Sequence, residues 1–103
     1  MPQELHSTIR EIEGEAEHLI REAREKAKEI LERARVRADE ILAAEPDTGD
    51  AEDRKRRIIA AAEAEGRTVI EEARERSSAI RARALKHTDE VVHSIIATIR
   101  GGI

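Results

Sequence analysis

The chain has 103 residues, of which 41% are Asp, Glu, Lys or Arg, and it contains no Phe, Tyr, Trp or Cys. Without the large aromatic residues that dominate compact cores, and with many of its apolar residues being Ala, it cannot bury much surface alone. The net charge of -4 argues against a broad cationic surface for nucleic acid, and the lack of Cys excludes disulfides and thiolate metal sites.

The first predicted element is a helix within residues 1–45, because its apolar residues recur every eleven positions. Three columns carry this repeat, and Leu5 and Ile9 extend the apolar stripe toward the start of the chain. The columns are Ile12, Ala23 and Ala34; Ala16, Ala27 and Ala38; and Leu19, Ile30 and Ile41. Eleven residues over three turns exceed the 3.6 residues per turn of the α-helix, so a partner following the stripe would wind in a right-handed supercoil.

An interruption is predicted at residues 46–50. Pro46 disfavours helix at the preceding residue, and Gly49 permits a left-handed turn, so we treat both as hinge residues. From Ile41 to Ile58 is 17 residues rather than 11 or 22, so the stripe leaves register between the two halves.

A second helix is predicted within residues 51–103, with the same repeat. Its columns are Ile58, Val69, Ile80 and Val91; Ala62, Ala73, Ala84 and Ile95; and Gly66, Ser77, Thr88 and Ile99. Residues 91–100 are more apolar than the rest and precede Gly101-Gly102, which favours a docking segment for a folded partner.

The predicted fold is therefore all-α, with two long helices that form coiled-coil segments. Two arrangements satisfy the pattern. The chain can stay extended, with each helix pairing with another polypeptide, or it can fold back into an antiparallel hairpin. We favour the extended form, since the same rule in both halves suits a long rod.

Residues for chemistry are not assembled in any known pattern. His6, His18, His87 and His93 lack metal-ligand spacing, and no phosphate-binding glycine motif or nucleophile with a base appears. The basic run 53–57 has acidic neighbours and no aromatic residue to stack a base. We expect no catalytic, cofactor or metal site, and no direct binding to nucleic acid.

The blocks "EAREKAKEILERARVRADEIL", "IIAAAEAEGRTVIEEARERSSAIRARA" and "DEVVHSIIATIRGG" resemble the small peripheral-stalk subunit of rotary ATP synthases, which is the H-type stalk protein of archaeal enzymes and the G-type stalk protein of V-type enzymes. The b-type stalk proteins of F-type enzymes share the repeat but usually carry a transmembrane anchor, and no apolar run of that length occurs here. The family's shaft is typically a near-continuous helix, from which the 46–50 interruption departs.

The resemblance implies a non-catalytic stator subunit that forms a heterodimer with the E-type stalk protein of the same ATP synthase. Residues 5–42 and 58–88 would be the shaft, and Val91–Ile99 would pack against the globular end of the E-type stalk protein. The partner complex would link the catalytic head to the membrane ion-channel subunit, and would hold this cytoplasmic chain beside the membrane without insertion. A homodimeric coiled-coil scaffold or a stalk protein like the b-type of F-type enzymes is the alternative.

Overall fold

The computed structural model describes residues 2–44 and 49–101, with side chains described from residue 6 onward. These residues form two α-helices, α1 (Pro2–Ala44) and α2 (Gly49–Gly101), and none of them lies in a strand. The prediction of an all-α chain with two long helices is confirmed.

The helix ends follow from local sequence. Pro2 is the first residue of α1, where its missing N–H costs nothing, and α1 ends at Ala44, shortly before Pro46. The carboxylates of Asp50 and Glu52 in the first turn of α2 interact favourably with the positive end of the helix dipole. Arg100 in the last turn interacts favourably with the negative end.

The predicted hinge residues lie differently from expectation. Gly49 is the first residue of α2 and has no positive φ, so it does not form a left-handed turn. Pro46 lies outside the described residues. Helix α2 also continues through Gly101, one residue into the predicted Gly-Gly stop, whereas Gly102 is outside the described residues.

The two helices pack against each other in antiparallel orientation as a hairpin that measures 86 × 18 × 8 Å. Of the two arrangements that the sequence left open, the hairpin is the one that the chain adopts, and the extended form that we favoured is not. The physical reason is that both helices carry the same kind of stripe. Closing a short connection within one chain costs less entropy than recruiting a second chain.

The core of the hairpin consists of small residues. In the described part of the chain, the buried apolar residues are all alanines, and Gly66 and Ser77 are buried beside them. The buried alanines are Ala16, Ala23, Ala38, Ala51, Ala62 and Ala73. Because each Ala buries little area, at roughly 25 cal/mol per Å², the core gains strength mainly from its length.

Candidate interaction surfaces

Three pairs of neighbouring residues show how the helices face each other. A Cβ atom placed on Gly66 would lie 3.2 Å from the Cβ of Ala27. The Lys55 ammonium lies 3.6 Å from an Asp39 carboxylate oxygen, and Arg81 Nε lies 3.1 Å from Glu13 Oε1. In each pair the two residue numbers add up to 93 or 94, so this sum gives the level of any residue on the facing helix.

The structure brings the predicted columns together along this line of contact, which we call the seam. Seven predicted residues are buried: Ala16, Ala23, Ala38, Ala62, Gly66, Ala73 and Ser77. Those that are half-buried are Ile9, Ile12, Leu19, Ala27, Ile30, Ala34, Ile41, Ile58, Val69, Ile80, Ala84, Thr88 and Val91. Ile95 and Ile99 are exposed, and the side chain of Leu5 is outside the described residues. The small residues thus fill the centre of the seam, and the large ones lie along its margins.

The sequence reasoning missed a fourth apolar column. Its members follow the Leu19 and Ile58 columns by one residue and are half-buried on the other margin of the seam. They are Ile20, Leu31 and Leu42 in α1, and Ile59 and Ile70 in α2. The signal was present as repeated doublets such as Leu19-Ile20 and Ile30-Leu31, of which only the first residue was counted.

Two charged residues stand where the repeat would place small or apolar ones. Lys55 lies eleven residues before Gly66 and Arg81 eleven after Ile70; their side chains are 33% and 38% exposed. Each is paired with a carboxylate of the opposite helix, and Arg81 Nε donates to both carboxylate oxygens of Glu13, at 3.1 and 3.2 Å. Partly exposed pairs of this kind contribute about 0.2 to 1 kcal/mol each, so they serve pairing geometry more than stability.

The last turns of α2 extend beyond α1. Because facing residues add up to 93 or 94 and α1 begins at Pro2, the residues after about 92 have no facing residue in α1. Val92, Ile95, Ile96 and Ile99 in this segment are 41 to 60% exposed. We call residues 92–101 the overhang, and it coincides with most of the predicted docking segment.

The described residues offer little else for chemistry. No three His, Asp or Glu side chains among them are placed to hold a metal ion together. Neither described helix contains a stretch apolar enough for its length to span a membrane. The cavities found along the described hairpin are open grooves, and two of them lie between the helices.

Comparison of the chain with models of protein families, with curated proteins and with solved structures gives no match.

Proposed function

We propose that the chain is a non-catalytic structural subunit of the peripheral stalk of an archaeal- or V-type rotary ATP synthase. There it would pair with the E-type stalk protein and resist the torque of the rotor during proton- or sodium-coupled ATP synthesis. The observation that carries the proposal is that the hairpin covers the apolar stripes of its helices only in part. In the described part of the chain every Ile, Leu and Val stays partly exposed, while the buried positions hold only Ala, Gly and Ser.

The total surface of the hairpin supports the need for a partner. Its accessible surface is 8168 Å², whereas a compact monomer of 11.6 kDa would expose about 5,800 Å². The excess is larger than the roughly 800 Å² that each partner buries in an ordinary stable interface. A chain with this much excess surface, whose described Ile, Leu and Val residues are all at least partly exposed, gains stability by binding another helix.

The stalk role requires the hairpin to exchange its internal seam for a seam with the E-type stalk protein. The small residues at the centre of the seam favour this exchange, because another helix that presents small residues can approach them as closely. Laid end to end, the helices of 43 and 53 residues would span on the order of 140 Å. A rod of that length, interrupted once, is stiff along its axis and can still bend.

The overhang gives this rod a distinct end. Its exposed Val92, Ile95, Ile96 and Ile99 continue the apolar stripe of α2 where α1 no longer covers it. In the proposed complex they would pack against the globular end of the E-type stalk protein, as the family resemblance suggests.

A distance measurement tests the exchange. The chain has no Cys, so spin labels can be attached to Cys residues introduced at Glu25 and Thr68, two exposed positions at the same level of the hairpin. The labels should be roughly 20 Å apart in the hairpin, given helix axes 8 to 10 Å apart. With the E-type stalk protein bound they should be up to roughly 65 Å apart, since 43 residues at about 1.5 Å each would then separate them along the rod.

The same experiment needs a binding control and a clear negative result. A chain that ends at residue 91 keeps the seam and lacks the overhang, so it should bind the E-type stalk protein more weakly than the whole chain. Absence of any one-to-one complex with that protein would refute the proposed function. A complex in which the labels stay at the short distance would support binding to the E-type stalk protein and refute the opening of the hairpin.

The alternative is a homodimeric scaffold. The seam closed within one chain supports it, because a scaffold of two hairpins does not require either hairpin to open. Sedimentation separates the two functions. A self-associating chain that the E-type stalk protein neither binds nor dissociates would favour the scaffold.

A further inference from the structure

The two long sides of the hairpin differ. One side carries Glu13 and Asp39, whose ion pairs with Arg81 and Lys55 bridge the helices. The opposite side, which we call the groove face, carries two open grooves between the helices. One holds about 210 Å³ and is lined by Leu19 and Val69, among others; the second holds about 310 Å³ and is lined by Ile30 and Ile58 among others.

The apolar residues of the groove face are arranged symmetrically. Along α2, Ile58 and Ile80 lie eleven residues to either side of Val69. Residues at the same level add up to 93 or 94, so Val69 is level with residues 24 and 25 of α1. That point is also midway between Leu19 and Ile30. Consider a second copy related by a two-fold axis that crosses the face at Val69, perpendicular to the helices. Leu19 of one copy then lies opposite Ile30 of the other, Ile58 opposite Ile80, and Val69 opposite the Val69 of the second copy.

The charged edge of the groove face along α1 follows the same axis. Acidic Glu22 and basic Lys26 border one groove, and basic Arg33 and Arg37 border the other. Glu11 and Glu15 precede Glu22 and Lys26 by eleven residues and continue this edge toward the start of α1. The edge is thus acidic in its first half and basic in its second half. The same two-fold rotation brings Glu11, Glu15 and Glu22 opposite Arg37, Arg33 and Lys26 of a second copy.

The charges along the α2 edge oppose the pairing of the two copies. The rotation brings Glu65 near Glu72 and Arg54 near Arg83 of the second copy. The α2 edge thus contributes two pairs of like charge, whereas the α1 edge contributes three pairs of opposite charge. Each pair occurs twice in a dimer. Glu72 also has Arg76 four residues later on its own helix, which offsets part of the repulsion. The balance of charges favours the pairing.

We infer that, without another partner, two copies of the chain stack groove face to groove face in antiparallel orientation, with Val69 at the two-fold axis. The hairpins then form a four-helix assembly in which Leu19 and Ile30 of one copy pack on Ile30 and Leu19 of the other. The proposal concerns the hairpin by itself and does not depend on the stalk function.

The apolar part of the interface is tested by a matched pair of variants. Ile30 and Leu31 are neighbours and both are half-buried, but Ile30 lies on the groove face and Leu31 on the other margin of the seam. In sedimentation equilibrium, Ile30→Gln should weaken dimerisation at least tenfold more than Leu31→Gln. Equal effects, or an unmodified chain that stays monomeric into the high micromolar range, would overturn the proposal.

The orientation is tested by exchanging charges. Glu15→Arg and Arg33→Glu should each weaken the dimer roughly tenfold, because each reversal turns two attractions into two repulsions. The double variant should regain the original affinity, since the two residues face each other only in the antiparallel stack. Glu25→Arg on the outer surface of α1 is the control, and circular dichroism checks that every variant stays helical.

The outcomes separate this proposal from the stalk function. If the charge exchange is not rescued, the antiparallel stack is wrong, and binding to the E-type stalk protein is unaffected by that result. If the chain dimerises as expected and never binds the E-type stalk protein, the stack stands and the stalk function fails.

Discussion

At the level of single residues, Ser77 is out of place in the seam. The residue is 1% exposed, and its hydroxyl has no hydrogen-bond partner in the described part of the chain. Thr88, eleven residues later in the same column, instead donates its hydroxyl to the Ala84 carbonyl at 2.9 Å. A buried hydroxyl without a partner costs free energy that an Ala at the same place would not.

We therefore expect Ser77→Ala to raise the free energy of unfolding by about 1 kcal/mol, from removal of the unpaired hydroxyl and from the higher helix propensity of Ala. Urea unfolding followed by circular dichroism measures the change. Exposed Ser78 offers a matched control, because Ser78→Ala gains helix propensity alone and should add only a few tenths of a kcal/mol. A larger gain at Ser78 than at Ser77 would show that the Ser77 hydroxyl is satisfied.

At the level of the helices, α1 and α2 approach each other closely where Gly66 meets Ala27. A Cβ on Gly66 would come within 3.2 Å of the Ala27 Cβ, which is fixed to its own backbone and can move only with α1. Gly in the middle of a helix costs about 1 kcal/mol relative to Ala. Helix propensity and helix packing therefore act in opposite directions at this one residue.

A double-mutant cycle separates the two effects. Gly66→Ala should change the free energy of unfolding little in the unmodified chain, and should be more favourable by about 0.5 to 1 kcal/mol when Ala27→Gly has removed the facing methyl group. Urea unfolding of the four proteins gives the coupling. Strict additivity would mean that the two helices do not meet at this level, as in an extended chain.

The sequence specified the helices well because an eleven-residue repeat fixes which side of each helix is apolar. Ala16, Ala23 and Ala73 were predicted from that repeat and are buried. A repeat does not state which helix lies opposite, so the hairpin could not be separated from the extended form. Nor did three columns reveal that Ile20 and Ile70 widen the apolar face on the other margin, because the doublets were read as single residues.

At the level of the whole molecule, scattering distinguishes the arrangements of the chain. A single hairpin is 86 Å long. In the proposed stack the two-fold axis lies near residues 24 and 25 of α1, about five residues from the midpoint of the hairpin. The two copies are then offset by about 15 Å, and the dimer is about 100 Å long.

Small-angle X-ray scattering of the free chain should therefore give twice the mass of one chain, a maximum dimension of about 100 Å and a thicker cross-section than one hairpin. End-to-end dimers joined through the overhang would instead be nearly twice the length of a hairpin. An opened chain would reach on the order of 140 Å at the mass of the monomer or of its complex. Measurement at several concentrations follows the change from hairpin to dimer.

The paired charges within the seam have a consequence for misalignment. Since the seam repeats every eleven residues, two helices displaced by one repeat recover most of their small-residue contacts, and packing alone discriminates poorly against that error. Displacement in one direction brings Lys55 against Lys28, and displacement in the other brings Arg81 against Arg24. Two ion pairs that add little to stability thus reject both of the nearest wrong alignments, whether the facing helix belongs to the same chain or to another copy.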